Sequence, residues 1–300
     1  KESRRSISDS MSEPLLPDCC TPTAHGRAAP AQGALLGGFK TIGDPAFESY
    51  IVFPPSGTPV LGVMFLAHDI FGLRSGRHVQ ICDELAQAGY IAACPDLFGD
   101  GVSRATELNP TWPPKSLSNI LNILCCCKLG RMFAAMKIPW GVLESKLAAT
   151  ALYLQAEHHR RSPSASQLEG CVVGFCWGAM VVARLLGASM ESLPIPIQCG
   201  VAFHPSLRID EANRELIANV ARPMLLAPAG DDPKHLQPGG EFAAALEAKF
   251  AKPTCVPFPN MVHGWMPRGP LSEESIKRDY DLGMSLLCSF FEERLSDAQN

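Results

Sequence analysis

Gly170-Cys171-Val172-Val173-Gly174-Phe175-Cys176-Trp177-Gly178-Ala179-Met180-Val181-Val182-Ala183 is the stretch on which the fold turns. Its first half is short and apolar with paired valines, and its second half is small and apolar, so together they read as buried strand, tight turn and helix. Glycines two before and two after Cys176 let strand and helix approach without side-chain collision, and a reactive residue on such a bend is presented at the end of a sheet. The helix that starts directly after Cys176 points free N–H groups and a positive dipole end at the sulfur, which favours thiolate over thiol. The Trp177 N–H is placed to hold a developing oxyanion. A Gly-x-Cys-x-Gly match by itself is weak, and a buried structural cysteine in an ordinary turn is the plainer alternative. The strand before it and the helical pattern after it favour the reactive turn.

From Phe47 onward, short apolar runs alternate with longer amphipathic segments. That order predicts an α/β fold, a mainly parallel sheet with helices on both faces. Strands are expected at Glu48–Phe53, Val60–Ala67, Tyr90–Pro95, Gly170–Phe175, Cys199–His204, Met224–Ala229 and Thr254–Phe258. Helices are expected at Arg77–Ala88, Trp140–His158, Ala179–Gly187, Gly240–Ala251 and Glu273–Ser296. Residues 1–46 are rich in Ser, Pro, Ala and Gly without a sustained period and read as a disordered or loosely attached arm, leaving 47–300 as one domain. Within it the Cys-rich apolar stretch Leu117–Met136 reads as an insertion: an amphipathic helix covering the core, or a lid over the site, with palmitoylation of its cysteines a third reading.

The chain opens on Lys1, which reads as a processed form or a fragment, with Met11 an alternative start. No apolar run follows the first basic residues, so a secretory signal is not visible and cytoplasm is the default expectation. A formal charge of −4 without a Lys/Arg-rich block offers no footprint for nucleic acid. No uncharged apolar run is long enough for a membrane span. Twelve cysteines scattered through apolar segments, without a CxxC pair, read as reduced and mostly buried, and no structural metal is expected.

Nucleophile-elbow enzymes of the α/β-hydrolase fold carry nucleophile, acid and histidine in that chain order. After Cys176, the strand Met224-Leu225-Leu226-Ala227 leads into Gly230-Asp231-Asp232-Pro233, and a later strand leads into His263-Gly264-Trp265. A histidine after the last strand can act as general base on the thiol, and an aspartate after the preceding one can fix its tautomer. The plainer readings are a surface histidine and an Asx turn. His25 lies in the arm, and His78, His158 and His159 are expected on solvated helix faces, while His204 and His235 are substitutes only under a different topology. His68 precedes Asp69 in the loop where the second oxyanion donor usually lies.

These motifs together resemble the dienelactone hydrolase (carboxymethylenebutenolidase) family from about Gly43 to the C-terminus. His68-Asp69-Ile70-Phe71-Gly72 is similar to the family's acidic-Ile-Phe-Gly loop, and Gly89-Tyr90 with Pro95-Asp96-Leu97-Phe98 to its following strand. Gly174-Phe175-Cys176-Trp177-Gly178 is similar to its nucleophile motif, Gly230-Asp231-Asp232-Pro233 to its acid loop, and His263-Gly264-Trp265 to its histidine segment. The resemblance implies the triad Cys176, Asp232 and His263, with Asp232 chosen over Asp231 by the Asp-Pro step. It also implies an oxyanion hole from the Ile70 and Trp177 amides, and Asp69, where the best-known bacterial members carry glutamate, at the position that controls the state of the thiol. Arg268 would greet an anionic substrate, with Arg104 the candidate for a second arginine.

The expectation is hydrolysis of a small lactone or activated ester through an acyl-thioester, without cofactor, by a monomer or dimer. A non-catalytic ligand-binding protein on the same fold and a redox-responsive thiol protein are the rivals. The hydrolase reading requires a sulfur reachable at the mouth of the sheet and an imidazole beside it.

Overall fold

A computed structural model of the chain describes residues 34–99, 137–163, 167–187, 193–250 and 254–298. Among these, seven strands form one sheet: β1 (Gly38–Ile42), β2 (Phe47–Val52), β3 (Gly62–Ala67), β4 (Tyr90–Pro95), β5 (Gly170–Phe175), β6 (Ile197–Phe203) and β7 (Met224–Ala227). The helices are α1 (His78–Gln87), α2 (Trp140–Arg161), α3 (Gly178–Leu185), α4 (Glu211–Ala218), α5 (Glu241–Glu247), α6 (Trp265–Arg268) and α7 (Glu274–Ala298).

The order across the sheet is β1-β2-β4-β3-β5-β6-β7. The pairs β1/β2 and β2/β4 are antiparallel, and every pair from β4 to β7 is parallel. Strands β3, β4 and β5 are buried along their whole length, as central strands covered on both faces must be. Alternate residues feed two cores. Val63, Phe65 and Val172 pack with Leu147 of α2 and Val182 of α3, whereas Met64, Leu66 and Val173 pack with Leu85 of α1 and Phe291 of α7.

The chain leaves β3 toward β4 on one side and returns to lay β5 on the other. Loops that diverge at such a switch point open a crevice outside the carboxyl ends of the strands. The loops after β3 and β5 carry His68 to Gly72 and Cys176, so topology alone places them on either side of that crevice.

Three local differences separate the fold from the sequence expectation. Gly38–Ile42, expected in the arm, is the edge strand β1 and pairs from Gly38↔Ile51 to Ile42↔Phe47. The chain just before it is pinned to Asp83, whose carboxylate accepts the N–H groups of Leu36 and Gly37 and the Tyr50 hydroxyl. Lys40 and Thr41 are exposed there, so no apolar run announces the strand. The boundary of the folded region therefore lies before residue 47, while residues 1–33 and the expected 117–136 insertion lie outside the described residues. Second, α4 was not expected because it buries only Ile217; it starts where Asp210 accepts the Asn213 N–H at 2.9 Å. Third, Thr254–Phe258 joins β7 only through the bridges Leu226↔Cys255 and Ala229↔Phe258, since Pro257 has no amide to donate to a ladder. Among the described residues, no helix is long and apolar enough to cross a membrane.

Candidate active site

Cys176 sits where β5 turns into α3, at φ 54°, a left-handed conformation that a cysteine adopts only under constraint. The constraint is steric. A Cβ on Gly174 would lie 2.4 Å from the Gly178 carbonyl oxygen, and one on Gly178 would lie 2.3 Å from the Ala67 carbonyl oxygen at the end of β3. Only glycines allow strand and helix to close on each other at these two positions. The backbone of Cys176 is also tied to the exit of β6, donating its N–H to Phe203 at 3.1 Å and accepting the Ser206 N–H at 3.0 Å.

Three loops converge on the sulfur. Ser206 Oγ lies 3.2 Å from Cys176 Sγ and 3.4 Å from His263 Nε2. On the other edge of the ring, His263 Nδ1 donates to Asp232 Oδ1 at 2.6 Å, and Asp232 Oδ2 accepts the Ala229 N–H at 2.7 Å. Asp231 accepts the His263 backbone N–H at 2.6 Å. His204 packs edge-to-face on the imidazole, with ring centres 4.9 Å apart. Burial pulls the His263 pKa down, but the facing Cys176 sulfur and the Asp232 carboxylate outweigh it and hold the ring well above the ordinary histidine value. By contrast, burial pushes the Cys82, Cys94 and Cys171 thiols up, which makes them inert packing residues.

The loop after β3 is held by two neutral histidines and one ion pair. His68 Nε2 accepts the Leu97 N–H at 3.1 Å, so its proton sits on Nδ1, which donates to the Asp69 carbonyl at 2.8 Å. His78 donates from Nδ1 to the Ser75 carbonyl and faces the Asp69 N–H with Nε2. Burial lowers the two pKa values to about 4 and about 3, so the nearby Asp96 and Asp69 carboxylates do not form charged pairs with them at neutral pH. Asp69 instead pairs with Arg268 in a fully buried contact and accepts the Phe71 N–H at 2.8 Å, which shapes the turn carrying Ile70. Among the described residues, neither the Ile70 nor the Trp177 N–H is engaged by a protein acceptor.

Cys176, Asp232 and His263 are thus brought together, and Ile70, Trp177 and Asp69 lie on the loops around them; Arg104 lies outside the described residues. Four residues sit otherwise than expected. His78 and His158 are buried rather than solvated, because α1 and α2 turn those positions inward. The Arg268 guanidinium does not face an open site: it is enclosed with Asp69 and lies 4.8 Å over the Phe71 ring. Cys176 lies at the carboxyl end of the sheet but is 0% exposed. The sulfur is therefore enclosed in this conformation. Asp231 and Ser206 were missed as site residues. Asp231 carries its signal in the Asp-Asp pair, whereas Ser206 carries none beyond lying in the loop after a parallel strand.

A sequence model of the Dienelactone hydrolase family matches residues 47–293. The chain is 29% identical over 274 residues to an uncharacterized AIM2 family protein of Schizosaccharomyces pombe, covering 91% of this chain and 98% of the relative. It is 26% identical over 212 residues to hydrolase tropI of Talaromyces stipitatus, covering 68% and 72%. Its fold is similar to that of a candidate dienelactone hydrolase from Klebsiella pneumoniae, with a TM-score of 0.55 at 19% identity, covering 84% of this chain and 98% of that one. It is also similar to Pyrococcus horikoshii acylaminoacyl peptidase, with a TM-score of 0.53 at 15% identity, covering 85% of this chain and 41% of the peptidase.

Proposed function

Because the chain belongs to the dienelactone hydrolase family and is on that ground an ester-acting hydrolase, we propose that it opens small lactones or activated esters with Cys176 as nucleophile. The observation that carries the reading is the chain of contacts from Cys176 through His263 to Asp232 at the turn between β5 and α3. The sulfur lone pair attacks the carbonyl carbon while the carbonyl π pair moves onto oxygen, which the Ile70 and Trp177 amides receive. Collapse expels the alcohol oxygen with its bonding pair, and the His263 imidazolium supplies the proton. Neutral His263 then takes a proton from water as it attacks the thioester, and the acid leaves with the thiolate restored.

A thiolate is itself a good leaving group, so acylation goes forward when the alcohol leaves easily. Enol lactones and aryl esters meet that condition better than alkyl esters. The Ile70 and Trp177 N–H groups, unengaged among the described residues, support the oxyanion assignment. The enclosed Asp69–Arg268 pair supports a resting state in which the acid is held away from the thiol.

The test is p-nitrophenyl acetate hydrolysis by the wild type and by Cys176→Ala, with intact mass taken after mixing with aryl esters and enol lactones. Loss of turnover in the variant together with an acyl adduct at Cys176 is expected. Undiminished turnover in Cys176→Ala removes the thiol from the mechanism.

A further inference from the structure

We propose that Ser206 is a fourth catalytic residue: standing beside His263 Nε2, its hydroxyl donates to the Cys176 sulfur and stabilises the thiolate that the imidazole creates by taking the proton. This rests on the cysteine-hydrolase reading above. The hydroxyl oxygen stands 3.2 Å from Sγ and 3.4 Å from Nε2. A serine hydroxyl has one donor and two acceptor positions, so it serves both neighbours at once. Ser206 itself is half-buried just after β6, whereas the sulfur is 0% exposed. A buried anionic sulfur is poorly solvated by water, so a protein donor at this position counts for more than it would at the surface.

The backbone holds this arrangement in place. Ser206 donates its N–H to the Cys176 carbonyl at 3.0 Å, so the two residues are fixed to each other by main chain as well as by side chain. Among the described residues, the non-glycine positions with positive φ are Cys176 at 54° and His204 at 37°. They stand at the ends of the adjacent strands β5 and β6, and Pro205 links the second of them to Ser206. Local backbone strain of this kind persists where the surroundings enforce it and tends to gather at working sites. Here the two unusual residues stand at the strand ends that carry the sulfur and lead to the hydroxyl.

The step balances without another reactant. The thiol proton passes to Nε2 across the direct Cys176–His263 contact, leaving thiolate and imidazolium, and the serine hydroxyl, itself unchanged, donates to the sulfur. Once the sulfur is acylated it is a weak acceptor, and the hydroxyl is released to neutral His263.

The pH dependence of iodoacetamide alkylation at Cys176, read by peptide mass spectrometry on the full chain, decides the point. Ser206→Ala should raise the midpoint by about one pH unit, equivalent to roughly tenfold slower alkylation below it, as expected for losing a hydrogen bond to a charged group. Ser206→Thr keeps the hydroxyl and should restore the wild-type midpoint; Ser206→Val, the same shape without it, should not. A folded Ser206→Ala with the wild-type profile, or Thr and Val variants that shift together, overturns the proposal. Should Ser206→Ala fail to fold, the Thr and Val pair carries the decision. Hydrolysis of p-nitrophenyl acetate by the same proteins separates the two readings. Absence of Cys176-dependent turnover in the wild type defeats the hydrolase mechanism, whereas its presence beside an unmoved Ser206→Ala profile defeats only the role of Ser206.

Discussion

Asp231 holds His263 by the main chain, its carboxylate accepting the His263 N–H at 2.6 Å, while the adjacent Asp232 takes the same residue by its ring Nδ1, also at 2.6 Å. The two aspartates fix different things, the loop and the tautomer. Asp232→Asn leaves the shape but presents a donor to Nδ1, and hydrolysis should fall by about 10³- to 10⁴-fold in kcat. Asp231→Asn keeps an acceptor oxygen on the loop and should lower kcat by about tenfold or less, with ~1 kcal/mol of stability lost. Steady-state kinetics and urea unfolding of the two variants check the split. Equal losses in kcat would mean that the ring contact has no special role.

The enclosed sulfur predicts a size-dependent thiol chemistry. If Cys176 works only after the site opens, small iodoacetamide should alkylate it much faster than a bulky maleimide, by about 10-fold or more, although maleimides are the more reactive reagents toward free thiols. The size order should vanish in mild urea, where local opening is easier. The helix end and the facing imidazolium should also keep alkylation fast below pH 8, where an ordinary thiol of pKa about 8.5 is mostly protonated. Peptide mapping at Cys176 distinguishes it from the buried Cys82, Cys94, Cys171 and Cys199.

Gly178 gives a steric test of the turn. A methyl at this position meets the Ala67 carbonyl oxygen at 2.3 Å, and the atom it meets is backbone rather than the end of a flexible side chain. Gly178→Ala should therefore destabilise the fold by more than ~2 kcal/mol and pull α3 away from the sulfur, lowering activity with it. Thermal melting and p-nitrophenyl acetate turnover read the two effects; a wild-type melting temperature would refute the close approach.

What the sequence revealed follows the burial of each segment. Tyr90–Pro95 and Gly170–Phe175 are buried from end to end, so an uninterrupted apolar run fixed their limits to the residue. Gly38–Ile42 at the sheet edge and Glu211–Ala218 with one buried residue lack such a run and carry no comparable signal. The proximity of Cys176, Asp232 and His263 is legible because each follows a strand or a bridged extended segment in the order the fold imposes, with glycines or prolines marking the turn. Ser206 was not legible, since its role comes from a main-chain bond between two strand exits far apart in sequence. The inward turn of His78 was hidden for a similar reason: its partners, Asp69 and Ser75, are set by loop geometry rather than helical periodicity.

His68 and His78 predict acid sensitivity. Both folded-state pKa values, about 4 and about 3, lie below the unfolded value of 6.5 because burial disfavours the charged ring. The unfolded chain therefore binds more protons in this window. The stability they contribute is fully present above about pH 6.5 and is lost as pH falls toward 4, at about 1.4 kcal/mol per pH unit for each histidine. His263 has the opposite shift, so its contribution is complete below pH 6.5 and adds no slope there; it is lost as pH rises through its elevated folded value. Urea unfolding at pH 5, 6 and 7 should show His78→Gln with a shallower loss than wild type. Parallel slopes would show that His78 is not held neutral.

Asp69 and Arg268 separate structure from substrate recognition. The pair is fully buried and Asp69 also shapes the turn at Phe71, so Arg268→Met strands a carboxylate inside the protein and should cost about 3–5 kcal/mol. Adding Asp69→Asn removes that charge while keeping an acceptor for the Phe71 N–H, and most of the stability should return. If the arginine serves only the fold, the double variant also regains hydrolysis of neutral aryl esters and of esters bearing a carboxylate equally well. If the pair opens so that Arg268 meets an anionic substrate, neutral esters recover while KM for the carboxylate ester stays raised by about tenfold or more, the scale of one lost charged hydrogen bond. Equal recovery toward the two ester classes would remove Arg268 from substrate binding and leave it as the partner that keeps Asp69 away from the thiol.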